Sequence, residues 1–396
     1  MHKLDVVIFG AGIAGLWTLA RLTQQGYNAV LLETDAIGSG QTIKSQGIIH
    51  GGLKYALTGH LSGAVTSLQD MPTIWQQCLN GTGEIDLSAA RVLSDGQFMW
   101  SANKITGGIT TLFASNSLKS HVATISKANW PLAIRDALIT SKLYKLEEMV
   151  LDIKSVLQAI VAPVIKRCIK IDSNDGYKLE IDKDNNIKNV KIKTNNVSLS
   201  LHAQRYIFTA GSGNEVLSSE FTDSPTMQLR PLQMVMVKSR NLPPLYGHCL
   251  GLGVTPRLTI TTHIAKDHTP VWYLGGKIAE DGVKKTSKQL IDFAKQELAT
   301  LFPKLDLTTA EYATFFVDRA EAAQANGSKP NSTTIFNSNN HITAWPTKLA
   351  FAPLLAQQIL NTLKESNITP KFEEQSLSTH NLPTPAIALP IWDQLL

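Results

Sequence analysis

The sequence predicts an α/β fold, α+β overall, in which an open and mainly parallel sheet is interrupted twice by an inserted mixed or antiparallel sheet. Three observations carry this: a strand, glycine turn, helix and second strand at the start, two later stretches of short alternating strands, and 396 residues of 43% hydrophobic content. A chain of that length exceeds one compact core and suffices for two.

Asp5 to Phe9 is an apolar run that ends in Gly10, Gly12 and Gly15 at G-x-G-x-x-G spacing, and a helical pattern starts at once after it. Each glycine removes a Cβ where a diphosphate must approach the backbone or where the helix must lie close to the strand. The helix opens with Ile13 and Ala14, whose end of the dipole and free N–H groups suit that diphosphate. Ile13, Leu16, Leu19 and Ala20 share one face, Gly26 stops the helix, and Ala29 to Leu32 is a second buried strand ending in Glu33. An acid about 20 positions beyond the glycines accepts both hydroxyls of an adenosine ribose. Glu33 would repel a 2′-phosphate, so the pattern calls for FAD or NAD rather than NADP.

The next segment separates those two. Gly38 to Gly52 is rich in Gly, Ser, Thr and Gln and unsuited to helix or strand, where a nicotinamide domain would continue with both. Such a loop can wrap a long cofactor. Here the chain resembles the FAD-dependent oxidoreductases of the D-amino-acid oxidase and glycerol-3-phosphate dehydrogenase type. In that family the acid is followed by a G-x-S/T-x-x-N/S-x-G loop running from the diphosphate to the isoalloxazine ring. Gly40, Thr42, Ser45 and Gly47 match it, with Gln46 and Ile48 alongside. The segment IIHGGLKY is most similar to the V-I-H-A/G-G-x-x-Y stretch of the hydroxy-acid and glycerol-phosphate branch. The resemblance implies a discontinuous Rossmann-like FAD-binding domain with an inserted substrate domain.

Along the chain, residues 1–83 read as the first part of the FAD-binding domain, with His60 to Leu79 as a helix. Residues 84–151 read as substrate domain, through the short strands ARVLSDGQFMWS, GGITTLFAS and HVATISKANW. Residues 152–226 return to the first domain: a helix from Asp152 to Ala162, strands in VIKRCIKID, YKLEID and NVKIKT, then Tyr206 to Thr209 ending near Gly211 and Gly213. By resemblance Cys168 lies near the adenine, and Ala210 and Gly211 pass beside the cofactor. Residues 227–316 leave again through LQMVMVK, LTITTHI and VWYLGGKI, and an amphipathic helix that starts near a Ser287 cap. Residues 317–396 close the FAD domain and carry a C-terminal tail expected to pack on the body. Thr347, Lys348 and Leu349 match the first turn of the family's closing helix, whose amides face the flavin, with Pro346 where Gly is common.

Composition limits the rest. Three cysteines, Cys78, Cys168 and Cys249, form no C-x-x-C pair and suggest a reducing, cytoplasmic setting. No apolar run reaches the ~18 residues of a membrane span. The net charge of +5 is spread over scattered Lys and Arg, which reads as a solvated surface rather than a nucleic-acid face, with weak attraction to anionic lipid or substrate as the alternative.

A flavin takes a hydride from a carbon bearing OH or NH, provided that a protein group takes the heteroatom's proton. His50 follows the flavin loop directly and is the candidate base; a direct or covalent flavin contact is the alternative. Tyr55 lines the same pocket or packs under the helix. An anionic substrate needs a cation. The family's late R-P pair corresponds to Lys329 and Pro330, so the anion subsite falls to Lys329 or to Arg319, unless Arg319 pairs with Asp318 or Glu321. Arg257 and His263 are further pocket candidates. The expectation is an FAD-dependent oxidoreductase acting on a small anionic 2-hydroxy acid or glycerol phosphate, with oxygen or a quinone as acceptor; the alternatives are an amine or amino acid as substrate, or a protein that binds FAD as a structural or sensing element.

Overall fold

The computed structural model describes residues 2–51, 68–102, 122–139, 142–194, 197–251, 255–373 and 382–396. In chain order the strands of its first half are β1 (His2–Phe9), β2 (Ala29–Glu33), β3 (Val92–Ser94), β4 (Gln97–Ser101), β5 (Val122–Ile125), β6 (Leu143–Leu146), β7 (Val150–Leu151), β8 (Cys168–Lys170) and β9 (Tyr177–Ile181). Then come β10 (Ile187–Thr194), β11 (Val197–Phe208), β12 (Met227–Lys238), β13 (Gly247–Leu250), β14 (Leu258–Ile264), β15 (Pro270–Gly275), β16 (Glu311–Ala322), β17 (Thr334–Ser338) and β18 (His341–Trp345).

The first sheet is built on β1, whose residues Leu4 to Phe9 are all buried. Strands run β17-β18-β11-β1-β2-β8, and β10 and β9 extend from β11. The pairings of β1 with β2 and β11, of β2 with β8 and of β11 with β18 are parallel. One face is covered by the helices Ile13–Gln24, Ile153–Val161 and Ala352–Glu365, through Leu16, Leu19, Val156, Ile160, Leu355 and Ile359. The other holds a second apolar layer around Phe9, Leu32, Val190, Tyr206 and Phe208. The buried Asp5 carboxylate ties this sheet to later chain, accepting from Asn28 N (2.8 Å), Gln204 Nε2 (2.7 Å) and Lys371 N (2.9 Å).

The second sheet runs β16-β12-β15-β14-β13-β4-β6-β5 and is antiparallel except where β13 meets β4. On one face Val235, Ile260, Trp272 and Leu274 pack on Leu290, Ala294 and Leu298 of the helix Ser287–Leu301. That helix is capped by Thr286 rather than the expected Ser287: the Thr286 side chain accepts from Gln289 N while Gln289 reciprocates on the cap's N–H. The other face, read from the pairs His248↔Thr259, Thr261↔Tyr273 and Met236↔Tyr273, carries His248, Thr259, Thr261, Tyr273 and Met236. The β12–β16 ladder continues to Met227↔Ala322, past the break expected after 316.

The tail joins both sheets. Ile37 N donates to Ala386 O at 2.8 Å and Ala388 N to Ile37 O at 2.9 Å, after which Ile391 and Trp392 pack with Met236 and Tyr273. Of the helix expected over His60 to Leu79, the described part is Met71–Leu79. The strand expected at GGITTLFAS lies outside the described residues. Among the described residues no helix is long and apolar enough to cross a membrane.

Candidate functional site

The glycine turn divides its labour. Gly10 has a φ of +97°, and a Cβ there would lie 2.5 Å from Ala210 Cα; a Cβ on Gly15 would lie 2.0 Å from Gly10 O. Those two let β1, the helix and the end of β11 close on one another. A Cβ on Gly12 would meet nothing nearer than Thr42 Oγ1 at 3.4 Å, so the space before the helix N-terminus is open. The first helical turn, starting at Ile13 and Ala14, carries no acidic residue, and the buried Thr42 hydroxyl accepts from Ile13 N at 3.0 Å. A diphosphate fits there on the helix's positive end.

Glu33 ends β2 beside this turn: Oε2 accepts from Ala11 N at 2.6 Å and Oε1 from Asp35 N at 2.8 Å. Cys168 pairs with Leu31 in the next strand, and burial, followed by the nearby Glu33 charge, pushes its thiol up to about 12. A buried thiol held protonated in this way packs in the core beside Glu33.

The loop after Glu33 is held at both ends. Gly38 N donates to Ala11 O at 2.9 Å and Ser45 N to Thr42 O at 3.1 Å, while a Cβ on Gly40 would meet nothing within 4 Å. Ser45 Oγ is buried without a hydrogen-bond partner among the described residues, as expected of a group that a bound polar ligand satisfies. Gln46 reaches the second sheet, donating to Tyr273 O at 2.9 Å. Gly47, with a φ of +73°, lies so close to Leu151 that a Cβ would come within 2.2 Å of Leu151 O. Ile48 bridges Val150 antiparallel, and Ile49 N donates to Met149 O at 2.9 Å.

That register puts His50 opposite Glu148. His50 Nδ1 lies 3.0 Å from Glu148 Oε2, and Gly51 N donates to Glu148 Oε1 at 3.0 Å. Glu148 is fully buried. From the second sheet, His248 brings its ring to 6.3 Å from that of His50, nearly parallel to it, with Nδ1 at 2.9 Å from Thr259 Oγ1. One ring or carboxylate atom from each of His50, Glu148 and His248 lies within 4.8 Å of the others. The seam between the two sheets therefore holds an imidazole, a buried carboxylate and a second imidazole.

Other expected residues take varied places. Ala210 N donates to Asn214 Oδ1 at 2.8 Å, and Gly211, with a φ of +61°, lies beside Gln41 of the loop. Thr347 and Lys348 precede the closing helix instead of forming its first turn, because Thr347 has a φ of +62° and the 3-10 turn starts at Leu349. Thr347 Oγ1 donates to Ser332 O at 2.8 Å, and Lys348 Nζ lies 5.1 Å from the Phe351 ring. Arg319 stands opposite Arg230 on the β12–β16 ladder, its Nε donating to Arg230 O at 3.1 Å. The Glu321 carboxylate considered for Arg319 is engaged by both Nε and Nη2 of Arg230. Lys329 follows Ser328, whose carbonyl accepts from Gln228 Nε2 at 2.8 Å next to that pair. Tyr55 lies outside the described residues.

Two pocket candidates are corrected. Arg257 is engaged by Glu297 of the covering helix, at 2.6 and 2.8 Å, on the far side of the sheet. His263 is buried under Trp392, ring centroids 4.3 Å apart, and burial pushes its pKa down to about 3. Glu148, His248 and Arg230 were not singled out in the sequence. Glu148 stands in the acidic pair of KLEEMVLD before a buried strand, and only the antiparallel register with Ile48 makes it a partner of His50.

Comparison with known proteins identifies the family and the fold. The family model DAO, FAD dependent oxidoreductase, matches residues 5–320. The probable FAD-dependent oxidoreductase PA4991 of Pseudomonas aeruginosa is 41% identical over 395 residues, covering 98% of this chain and 97% of that protein. Its crystal structure superposes with a TM-score of 0.84, at 37% identity over 99% of this chain and 98% of that one. Glycine oxidase from Geobacillus kaustophilus (12% identity, TM-score 0.66, 94% of this chain and 100% of that one) shares the fold. So does the FAD-bound L-alpha-glycerophosphate oxidase of Mycoplasma pneumoniae (14% identity, TM-score 0.64, 92% and 95%).

Proposed function

The chain belongs to the DAO family of FAD-dependent oxidoreductases, and on that premise we propose that it oxidises a small anionic substrate at a C–OH centre, a 2-hydroxy acid or glycerol 3-phosphate being the expected class. FAD, when bound, supplies the acceptor for the hydride that leaves the substrate carbon. Gly10, Gly12, Ile13, Ala14 and Gly15 would hold its diphosphate and Glu33 its ribose, with Cys168 packed at the adenosine end. Gly40, Thr42, Ser45, Gln46, Gly47 and Ile48 would line its path to the seam, flanked by Ala210 and Gly211 and by Thr347, Lys348 and Leu349.

The observation that carries the reading is His50, placed by the end of this loop at the seam and facing His248 of the second sheet. An alcohol keeps its proton at neutral pH, so hydride loss from it needs a base that takes the hydroxyl proton in the transition state. An amine can shed its extra proton to water before binding and presents a lone pair. An imidazole at this position therefore favours C–OH over C–N chemistry. The low-identity fold relatives are mostly named for amino-acid substrates, among them glycine oxidase, L-proline dehydrogenase and L-amino acid deaminase, with L-alpha-glycerophosphate oxidase on the C–OH side, so an amine or amino acid stands as the alternative substrate. Arg319 and Lys329 are the cations proposed for the substrate's anionic group, and oxygen or a quinone is the proposed electron acceptor. The test is anaerobic bleaching of the bound flavin by a panel of 2-hydroxy acids, polyol phosphates and amino acids. Bleaching by a hydroxy compound is expected. Bleaching by amino acids alone, with ammonia released, would overturn the C–OH assignment.

A further inference from the structure

We propose that Glu148 is a positioning residue for His50: it fixes the imidazole as the Nδ1–H tautomer and balances the charge that appears when the ring takes a proton. The inference rests on the reading of His50 as the base, and names what makes that ring a directed one.

The pairing is built by the backbone. Leu151 N donates to Gly47 O at 2.9 Å, Ile48 bridges Val150, and Ile49 N donates to Met149 O at 2.9 Å. Two residues further along the same register, Glu148 stands opposite His50. Its carboxylate is fully buried and uses both oxygens, Oε2 toward His50 Nδ1 and Oε1 from Gly51 N, each at 3.0 Å. An ionised carboxylate only accepts hydrogen bonds, so Nδ1 must carry the proton and the lone pair lies on Nε2. The Gly51 contact fixes the backbone next to His50 as well, so ring and main chain are held by one side chain.

Among the described residues, the titratable groups set against His50 include Glu148 and, from β13, His248, whose Nδ1 is 2.9 Å from the Thr259 hydroxyl. In the proposed step the substrate hydroxyl proton passes to His50 Nε2. The O–H electron pair would close the C=O bond as the carbon gives up its hydride, for which FAD, when bound, would supply the acceptor. The imidazolium so formed lies against the Glu148 carboxylate, which a neutral residue would not match.

Glu148→Gln tests this, because an amide has one acceptor oxygen where the carboxylate supplies two. Either His50 or Gly51 loses its acceptor, and the negative charge is gone. In the variant the limiting rate of anaerobic flavin reduction should fall at least about 10-fold, with substrate affinity within about 2-fold. The acid limb of its pH profile should move down by about one unit or more. The second readout needs no turnover: long-range ¹⁵N NMR of histidine-labelled wild-type holoenzyme, with His50→Ala for assignment, should show His50 as the Nδ1–H tautomer. A His50 signal in the Nε2–H form overturns the proposal whatever the variant does. A stoichiometric divalent metal retained by the dialysed wild-type holoenzyme at this cluster would also overturn it. If His50→Ala is slow while Glu148→Gln matches wild type in rate and pH profile, the positioning role fails and the base reading stands. If His50→Ala itself reduces at the wild-type rate, the base reading is what fails.

Discussion

Gln46 and Tyr273 bind each other's chain segments across the seam: Gln46 Nε2 donates to Tyr273 O at 2.9 Å, and the Tyr273 hydroxyl donates to Lys44 O. Tyr273 is buried, and that burial holds its hydroxyl protonated far above the usual phenol range. The loop that follows the ribose acid is thereby fastened to the second sheet just before His50. The position of His50 opposite His248 is a property of both sheets together.

Gly12→Val should abolish FAD binding while the second sheet stays folded. The added side chain would fill the open space before the helix N-terminus, whereas the second sheet has its own core under the helix Ser287–Leu301. Flavin absorbance of the purified variant and its circular dichroism check this. Wild-type flavin content in a folded variant would contradict it.

Trp392→Ala should destabilise the protein by about 3 to 5 kcal/mol, the usual cost of deleting a buried Trp. The ring is stacked on His263 at 4.3 Å and packs with Met236 and Tyr273. Denaturant unfolding checks the magnitude. A change below about 1 kcal/mol would show that the tail adds little to the second sheet.

Stability should fall as pH drops from about 6.5 toward 4, the ordinary histidine value being near 6.5. Burial, reinforced by Arg205, pushes His341 down to about 4, and its ring is stacked on Phe221 at 4.0 Å. In that window the unfolded chain takes up a proton that the folded ring refuses, so unfolding gains from acid. His341→Leu should flatten the pH dependence of the melting temperature between 4 and 6.5. An unchanged slope would assign the acid loss to other groups.

The cradle was legible in the sequence because strand, glycines, helix and acid are local and ordered. Gly12, Glu33 and the loop through Gly47 could be read without knowing the second sheet. The distinction among the glycines was not: Gly10 and Gly15 are needed for contacts with Ala210 and with the turn itself, which only the packed structure supplies. The partners of His50 were hidden for the same reason. Glu148 and His248 come from distant segments, and their role depends on a register and a cross-strand pair. His263 and Arg257 misled because a polar residue at a strand end reads the same whether it faces a pocket, a tail or a covering helix.

The most direct test of the account is anaerobic stopped-flow reduction of wild-type and His50→Ala enzyme by whichever hydroxy compound bleaches the flavin. The variant should keep its FAD and reduce it about 10² or more times slower, the usual contribution of a positioned acid–base group. An FAD-loaded variant that is reduced at the wild-type rate would remove His50 from the chemistry and contradict the proposed mechanism.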